Sequence, residues 1–325
     1  RSSVMADLNV NSIGDASGGT TTSINGFTPT VSNMAGRNLI VNGAMNVVQR
    51  SSLSLTGLSA YNYRVADFHR TGGGAQTVGR HGIYVTNGTT PTSGIYEAGS
   101  APQGFTNSLK YVVEVAEGSS TGSSLFHSTF VEGSLFSNAN FGTSNALPLT
   151  FSFYVKSSIA GRYEIHIHNN TSPPTLNRVS YTINSANTWE RKTITLTPAT
   201  IGVWNAGTDC GIRLDFLLKK ENLGVTSTPE NTWATNDPSG YLSADTVNWM
   251  GTAGATFYIT GMQLELGEVA TPFEHRQYGQ ELALCQRYYF KRSGVVEGGG
   301  ISWATASIDT LVGVHHNFPV EMRAT

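Results

Sequence analysis

The chain has 325 residues, 39 % of them hydrophobic and only 13 % charged, with 36 glycines and a net charge of −2. Charged residues stand at about half their usual share and Gly well above it, while Ser, Thr and Asn together fill 95 positions. There is no basic stripe for nucleic acid, no run of ~18 apolar residues for a membrane span, no basic-then-apolar secretory pattern visible in the first residues given and too many aromatics for a disordered chain.

Residues 1–37 are rich in Gly, Ser, Thr and Asn, with isolated apolar residues (Leu8, Val10, Ile13, Ile24, Phe27, Val31) and no period. Such a segment buries too little to fold alone. It reads as an extended arm that orders on a partner. Met5 reads as a native start, with Arg1–Val4 as an expression remnant. At Arg37 the texture changes. NLIVNGAM (38–45) is an apolar run closed by Asn-Gly, a strand-and-turn signal. Short β-prone runs then recur: Leu109–Val115, Leu149–Lys156, Tyr163–His168, Lys192–Leu196, Gly211–Leu218 and Thr256–Leu266. In FSFYVK, Phe151, Phe153 and Val155 share one face. In YEIHIH, Tyr163, Ile165 and Ile167 share one face and Glu164, His166 and His168 the other. Many short strands separated by Gly/Pro/Asn loops predict an all-β sandwich or jelly roll over 38–272. The long irregular connection 219–255 carries Trp233, Tyr241 and Trp249, and loops of that length usually serve function or interfaces.

After Pro272, Tyr278, Leu282, Cys285 and Tyr289 recur at helical spacing, which predicts a helix over about 276–292. This stripe either packs on the sandwich or forms the seam of a three-chain bundle. Strand-like runs follow, and PVEMRAT reads as the start of a strand pair, so the chain is expected to continue past Thr325. Cys210 and Cys285 lack a CxxC partner and read as buried hydrophobes, with a disulfide between them left open.

RNLIVNGAMNVVQR (37–50) and FYITGMQLELGEVATPFEHRQYGQELALCQRYY (257–289) resemble tail-fibre-type virion proteins of tailed bacteriophages of marine bacteria and cyanobacteria. YRVADFHR (63–70), TWERKTITL (188–196), VNWMGTAGATFYITGMQLE (247–265) and LNVNSIGDASGG near the start extend the likeness over most of 7–289. The family commonly carries Trp where Phe68 stands and an acid where Ala44 stands. Without that acid no metal is expected. The resemblance implies a virion structural protein, assembled in the host cytoplasm, with a carbohydrate-binding-module-like sandwich. It also implies a homotrimer, attached to other tail or capsid proteins through residues 1–37, with a role in host adsorption. It favours the three-chain seam through Tyr278, Leu282, Cys285 and Tyr289. Neither a cofactor nor nucleic-acid binding is expected.

No GxSxG, HExxH, P-loop or GxGxxG motif is present. Asp67, Glu114, Asp209, Asp215 and Glu265 are available for a glycosidase carboxylate pair, but nothing pairs any two, so an enzyme is not expected. His166 and His168 point to one face and begin a metal site that lacks a third ligand. The plainer expectation is a polar face towards solvent or a neighbouring subunit. His315 and His316, if extended, point apart. Sugars stack on flat aromatic rings and bond to nearby polar groups. Trp204, Trp233, Tyr241 and Trp249, in polar loops, are the ligand-binding candidates. Trp189 opens an alternating strand and is expected in the core. The expected function is a phage fibre protein that binds a host-surface glycan. The alternative is an adaptor or capsid or neck fibre without receptor contact, and the third reading is an envelope-polysaccharide depolymerase.

Overall fold

The computed structural model describes residues 36–49, 100–113, 116, 124–169, 171, 173–218, 228–235, 245–290 and 319–322, together with the backbone of five short strands between residues 54 and 98. The expected arm at 1–37 and the β region after the helix lie almost wholly outside the described residues.

The strands in chain order are β1 (Ser54–Leu55), β2 (Leu58–Ser59), β3 (His81–Thr86), β4 (Thr89–Thr90), β5 (Thr92–Ala98), β6 (Asn107–Val113) and β7 (Ser124–Glu132). A helical turn α1 (Gly133–Phe136) follows, then β8 (Leu149–Ser157), β9 (Gly161–His168), β10 (Thr175–Ile183), β11 (Glu190–Leu196), β12 (Cys210–Leu217), β13 (Ala234–Thr235), β14 (Thr256–Leu266) and helix α2 (Tyr278–Gln286). Two six-stranded antiparallel sheets form, in the orders β1-β5-β6-β14-β8-β11 and β13-β10-β9-β12-β7-β3. Eight of these strands pair as nested couples: β6 with β14, β7 with β12, β8 with β11 and β9 with β10. That is one long antiparallel hairpin rolled into two sheets, the jelly roll. The all-β expectation holds, and the six β-prone runs named above are all strands.

Period-2 alternation explains the core. Phe151, Phe153 and Val155 of β8 face Tyr163, Ile165 and Ile167 of β9 and Ile212, Leu214 and Phe216 of β12, all fully buried. Phe153 meets Phe216 edge-on at 5.0 Å and Tyr181 at 5.1 Å, the geometry ring quadrupoles favour.

Three local expectations change. NLIVNGAM forms the turn but no strand: residues 36–49 clasp β14, through Leu39 N–H to Leu264 O (2.8 Å) and Met262 N–H to Gly43 O (3.0 Å). Gly43 is needed there, because a Cβ would lie 2.1 Å from the Met262 carbonyl oxygen. The helix is shorter than 276–292, because Arg287 and Tyr288 leave it to bond Glu132 at 3.1 and 2.5 Å. Trp189 is not in the core. It precedes β11 on the outer face of the first sheet, partly exposed, against Tyr258. Among the described residues no helix is long and apolar enough to cross a membrane.

Candidate functional site

The outer face of the second sheet carries a polar row. Pairing register sets Arg178, His166, Asp215 and Ser128 side by side across β10, β9, β12 and β7. The next row holds Leu176, His168, Arg213 and Phe130. Antiparallel register makes these groups close neighbours. Asp215 is the hub: its Oδ1 accepts from Arg213 Nε (2.7 Å) and Ser128 Oγ (2.6 Å), and its Oδ2 meets His168 Nε2 at 2.9 Å. Arg213 also donates to Ser128 Oγ (3.3 Å), and its guanidinium lies 5.2 Å over the Phe130 ring. His168 Nδ1 is 3.0 Å from the Asn169 carbonyl.

Further along the face, Arg162 gathers three carboxylates. It pairs with Glu164 (2.9 Å), Asp245 (2.6 Å) and Glu230. Thr246 Oγ1 donates to Glu164 (2.9 Å) and Ser180 Oγ to Glu230 (2.7 Å). Arg178 donates to the Thr228 carbonyl (2.9 Å). The described parts of the long connection, 228–235 and 245–250, thus lie along this face and its margin. The sequence leads one to expect a face turned to solvent or to a neighbouring subunit, but this face is largely buried under the chain's own segments; His166 is 3 % exposed. The network reaches the surface at His168 and Phe130, both partly exposed.

Burial favours the neutral imidazole of His166 and holds its pKa down at about 4, against the opposing pull of Glu164 and Asp215; this is desolvation outweighing nearby charge. Its Nε2 has no hydrogen-bond partner among the described residues. Burial alone would raise the Asp215 carboxyl, but Arg213, His168 and Ser128 together hold it well below the usual range. An ionised, triply held carboxylate is an orienting and hydrogen-bonding group, not a proton donor. The order of contacts also differs from a nucleophilic triad. The carboxylate stands between Ser128 and His168, so the imidazole does not touch the hydroxyl as it would in such a triad.

The predicted site residues are scattered. Trp249 is wholly buried at the opposite end of the sandwich, with its indole N–H on Thr256 O (3.1 Å). Trp233 is buried, donating to Thr197 O (2.7 Å). Trp204 is partly exposed, donates to Ile201 O (3.0 Å) and stands edge-on to Trp233 and Phe141 at 5.2 and 4.9 Å. Its loop is tied to the end of β9 by Asn169 Nδ2 on Val203 O (2.8 Å). Tyr241 lies outside the described residues, as do Asp67, Glu114, His315 and His316. Asp209 is exposed, and Glu265 is buried in the first sheet on Thr271, so neither of these two described acids pairs with Asp215. Cys210 and Cys285 are both buried, and no disulfide joins them. On α2, Leu282 and Cys285 pack on Val41 and Val47 of the same chain, while Tyr278 is exposed. Among the described residues no three His, Cys, Asp or Glu side chains gather as metal ligands.

The alternation of YEIHIH places Glu164, His166 and His168 together in sequence, but not the partners that make them a network. Arg213 and Asp215 sit in GIRLDFLL, which reads as a buried strand.

No protein-family model matches the chain, and no curated protein does. Among solved structures it aligns with a candidate sugar binding protein from Bacteroides thetaiotaomicron, over 71 % of this chain and all of that one, at 11 % identity and TM-score 0.36. It aligns with the enzymatically active domain of tailspike protein 4 of bacteriophage CBA120 over 70 % of this chain and 21 % of that one, at 10 % identity and TM-score 0.33. The family 11 carbohydrate-binding module of Clostridium thermocellum, in complex with a β-1,3-1,4-mixed-linked tetrasaccharide, aligns over 68 % of this chain and all of that one, at 13 % identity and TM-score 0.30. These values are too low to carry a ligand or an activity from those proteins to this chain.

Proposed function

We propose that this is a virion fibre-type display protein whose jelly roll binds a host-surface glycan without cleaving it. The observation that carries the reading is the Ser128–Arg213–Asp215–His168 network, which surfaces at His168 and Phe130. It offers what a sugar needs: preset charged hydrogen-bonding groups beside a partly exposed ring. The loop holding Trp204 is tied to the same strand end and supplies a second ring. The resemblance of residues 37–50 and 257–289 to tail-fibre-type proteins supports the phage context of this reading.

The test is binding of the labelled chain to candidate host cells before and after periodate oxidation of their glycans. Binding is expected to disappear on oxidation. Each of His168→Ala and Trp204→Ala is expected to weaken it about tenfold, the worth of one charged hydrogen bond or one good ring contact. Circular dichroism controls for folding. Unchanged binding by both folded variants removes this site.

A second reading, the adaptor without receptor contact, is favoured by the distribution of apolar surface. Among the described residues the exposed large hydrophobics Leu135, Leu147, Ile201, Val203 and Val269 all lie in connections at one end of the sandwich. The sixth, Tyr278, opens α2, and Arg287, the residue just after that helix, reaches Glu132 at that same end. Exposed apolar clusters mark association surfaces. An end-on contact with a neighbouring virion subunit, whether another copy or a tail or capsid protein, fits this end. Sedimentation of Val203→Asp against the native chain tests it: loss of self-association or of particle incorporation supports the adaptor role, and no change removes it.

A further inference from the structure

The outer face of the first sheet carries a different arrangement. Register places Lys110 of β6, Tyr258 of β14 and Lys156 of β8 in one row, and Trp189, one residue before Glu190, extends it, since Glu190 pairs with Val155. Cation, ring, cation and ring alternate across four strands. Lys156 Nζ lies 4.0 Å from the Tyr258 ring centroid and 5.1 Å from that of Trp189, and Lys110 Nζ lies 5.5 Å from Tyr258. Trp189 and Tyr258 meet edge to face at 6.1 Å. Lys156 also donates to Ser100 Oγ at 3.4 Å. All four side chains are partly exposed.

Each feature has a direction. The rings hold the long lysine side chains against them, so that less rotamer entropy is lost when an ammonium meets an anion. The two ammonium groups stand on strands two apart, about 9.5 Å at sheet spacing, with the flat apolar side chain of Tyr258 between them. An extended ligand crossing the strands therefore meets positive charge, ring, positive charge, ring in turn. A neutral glycan can accept hydrogen bonds from the ammonium groups but gains no ion pair from them, and nucleic acid has no basic surround to hold its closely spaced phosphates. A chain of sugars that carries carboxylate or sulfate groups and presents apolar ring faces matches both features.

We propose that Lys110, Tyr258, Lys156 and Trp189 form a second glycan-binding surface, on the sheet opposite the Asp215 network, that takes acidic polysaccharide. This goes beyond the reading above, which rests on the other sheet.

The test is calorimetric titration of the whole chain with oligo-uronates prepared from alginate, and with a neutral β-glucan oligomer as control, over a salt series. Oligo-uronates are expected to bind at low salt, with affinity falling as salt rises. In Lys110→Gln/Lys156→Gln binding is expected to drop at least about tenfold per lysine removed. The row is on the surface and each cation–ring contact contributes modestly, so the double variant is expected to fold; its melting curve checks this. Lys156→Arg retains binding, and His168→Ala leaves it unchanged. Equal oligo-uronate affinity in native chain and folded double variant overturns the proposal, and so does the lack of oligo-uronate binding by the native chain at low salt. Loss of uronate binding in His168→Ala with retention in the lysine double variant overturns it too, by assigning acidic glycans to the Asp215 face.

Discussion

Substituting His166 isolates the cost of burying an imidazole in the polar row. The groups facing it are Glu164, Asp215, His168 and Arg178. In the unfolded chain its pKa is the ordinary value near 6.5, and in the folded chain burial lowers it to about 4. The folded state therefore refuses a proton that the unfolded state accepts. The penalty is absent above the unfolded value, grows as pH falls from about 6.5, and is complete below about 4. At about 1.4 kcal/mol per pH unit the full loss is ~3 kcal/mol, and between pH 7 and pH 4.5 it is ~2.4 kcal/mol. His166→Gln keeps the size and polarity and cannot titrate. Urea unfolding of both chains at pH 7 and pH 4.5 gives the difference. The native chain is expected to lose ~2 kcal/mol more than the variant over that interval, because carboxylates held below their usual range, such as Asp215 and Glu132, titrate at lower pH and cancel between the two proteins. Parallel loss in the two proteins refutes the buried neutral histidine.

Other consequences follow from the same network and from the clasp. Asp215→Ala leaves Arg213 buried without its carboxylate and is expected to cost about 3–5 kcal/mol, whereas replacing Arg213 and Asp215 together by Leu costs less; thermal melts compare the two, and an equal or greater loss in the double variant contradicts the argument. Gly43→Ala forces a Cβ onto the Met262 carbonyl and is expected to cost about 2–3 kcal/mol, with faster amide exchange in residues 38–47 and in α2. If exchange rises nowhere in those segments, the clasp does not hold the helix. Burial alone raises the Glu132 pKa, but Tyr288, Ser134 and Arg287 hold it below the usual glutamate range. Glu132→Gln is therefore expected to lose about 1–2 kcal/mol at pH 7. That difference shrinks as pH falls below the ordinary glutamate range, because a depressed carboxyl stabilises the fold only while ionised; a constant difference from pH 7 to pH 3 is the contrary result.

The tryptophans show why the predicted ligand site and the observed polar row differ. Trp204, Trp233 and Trp249 stand in polar stretches, and local composition reads as loop surface. Trp233 and Trp249 nevertheless fold inward, because a jelly roll is open at both ends and large rings close it. Each indole N–H then finds a backbone carbonyl, Thr197 O for Trp233 and Thr256 O for Trp249, so burial leaves no donor unmet. Trp189 goes the other way: its strand alternates correctly, but the residue before Glu190 falls on the outer side. For α2, helical spacing identifies the Leu282 and Cys285 face, and Val41 and Val47 of the same chain occupy it.

What the residues determine unaided is local. Alternation in FSFYVK and YEIHIH sets which side chains share a face, since successive residues of a strand point to opposite sides, and the Gly- and Asn-rich breaks set where strands end. These were enough for the all-β class and for the six strand runs. Which strand lies beside which is fixed by the fold as a whole. The nesting of β6 with β14 and β7 with β12 joins residues far apart in the chain. The pairing of β9 with β12 carries Asp215 to His166 and His168, and that of β14 with β8 carries Tyr258 to Lys156. Both surfaces assembled here depend on register between distant strands, and register is a property of the folded sheet rather than of any one segment.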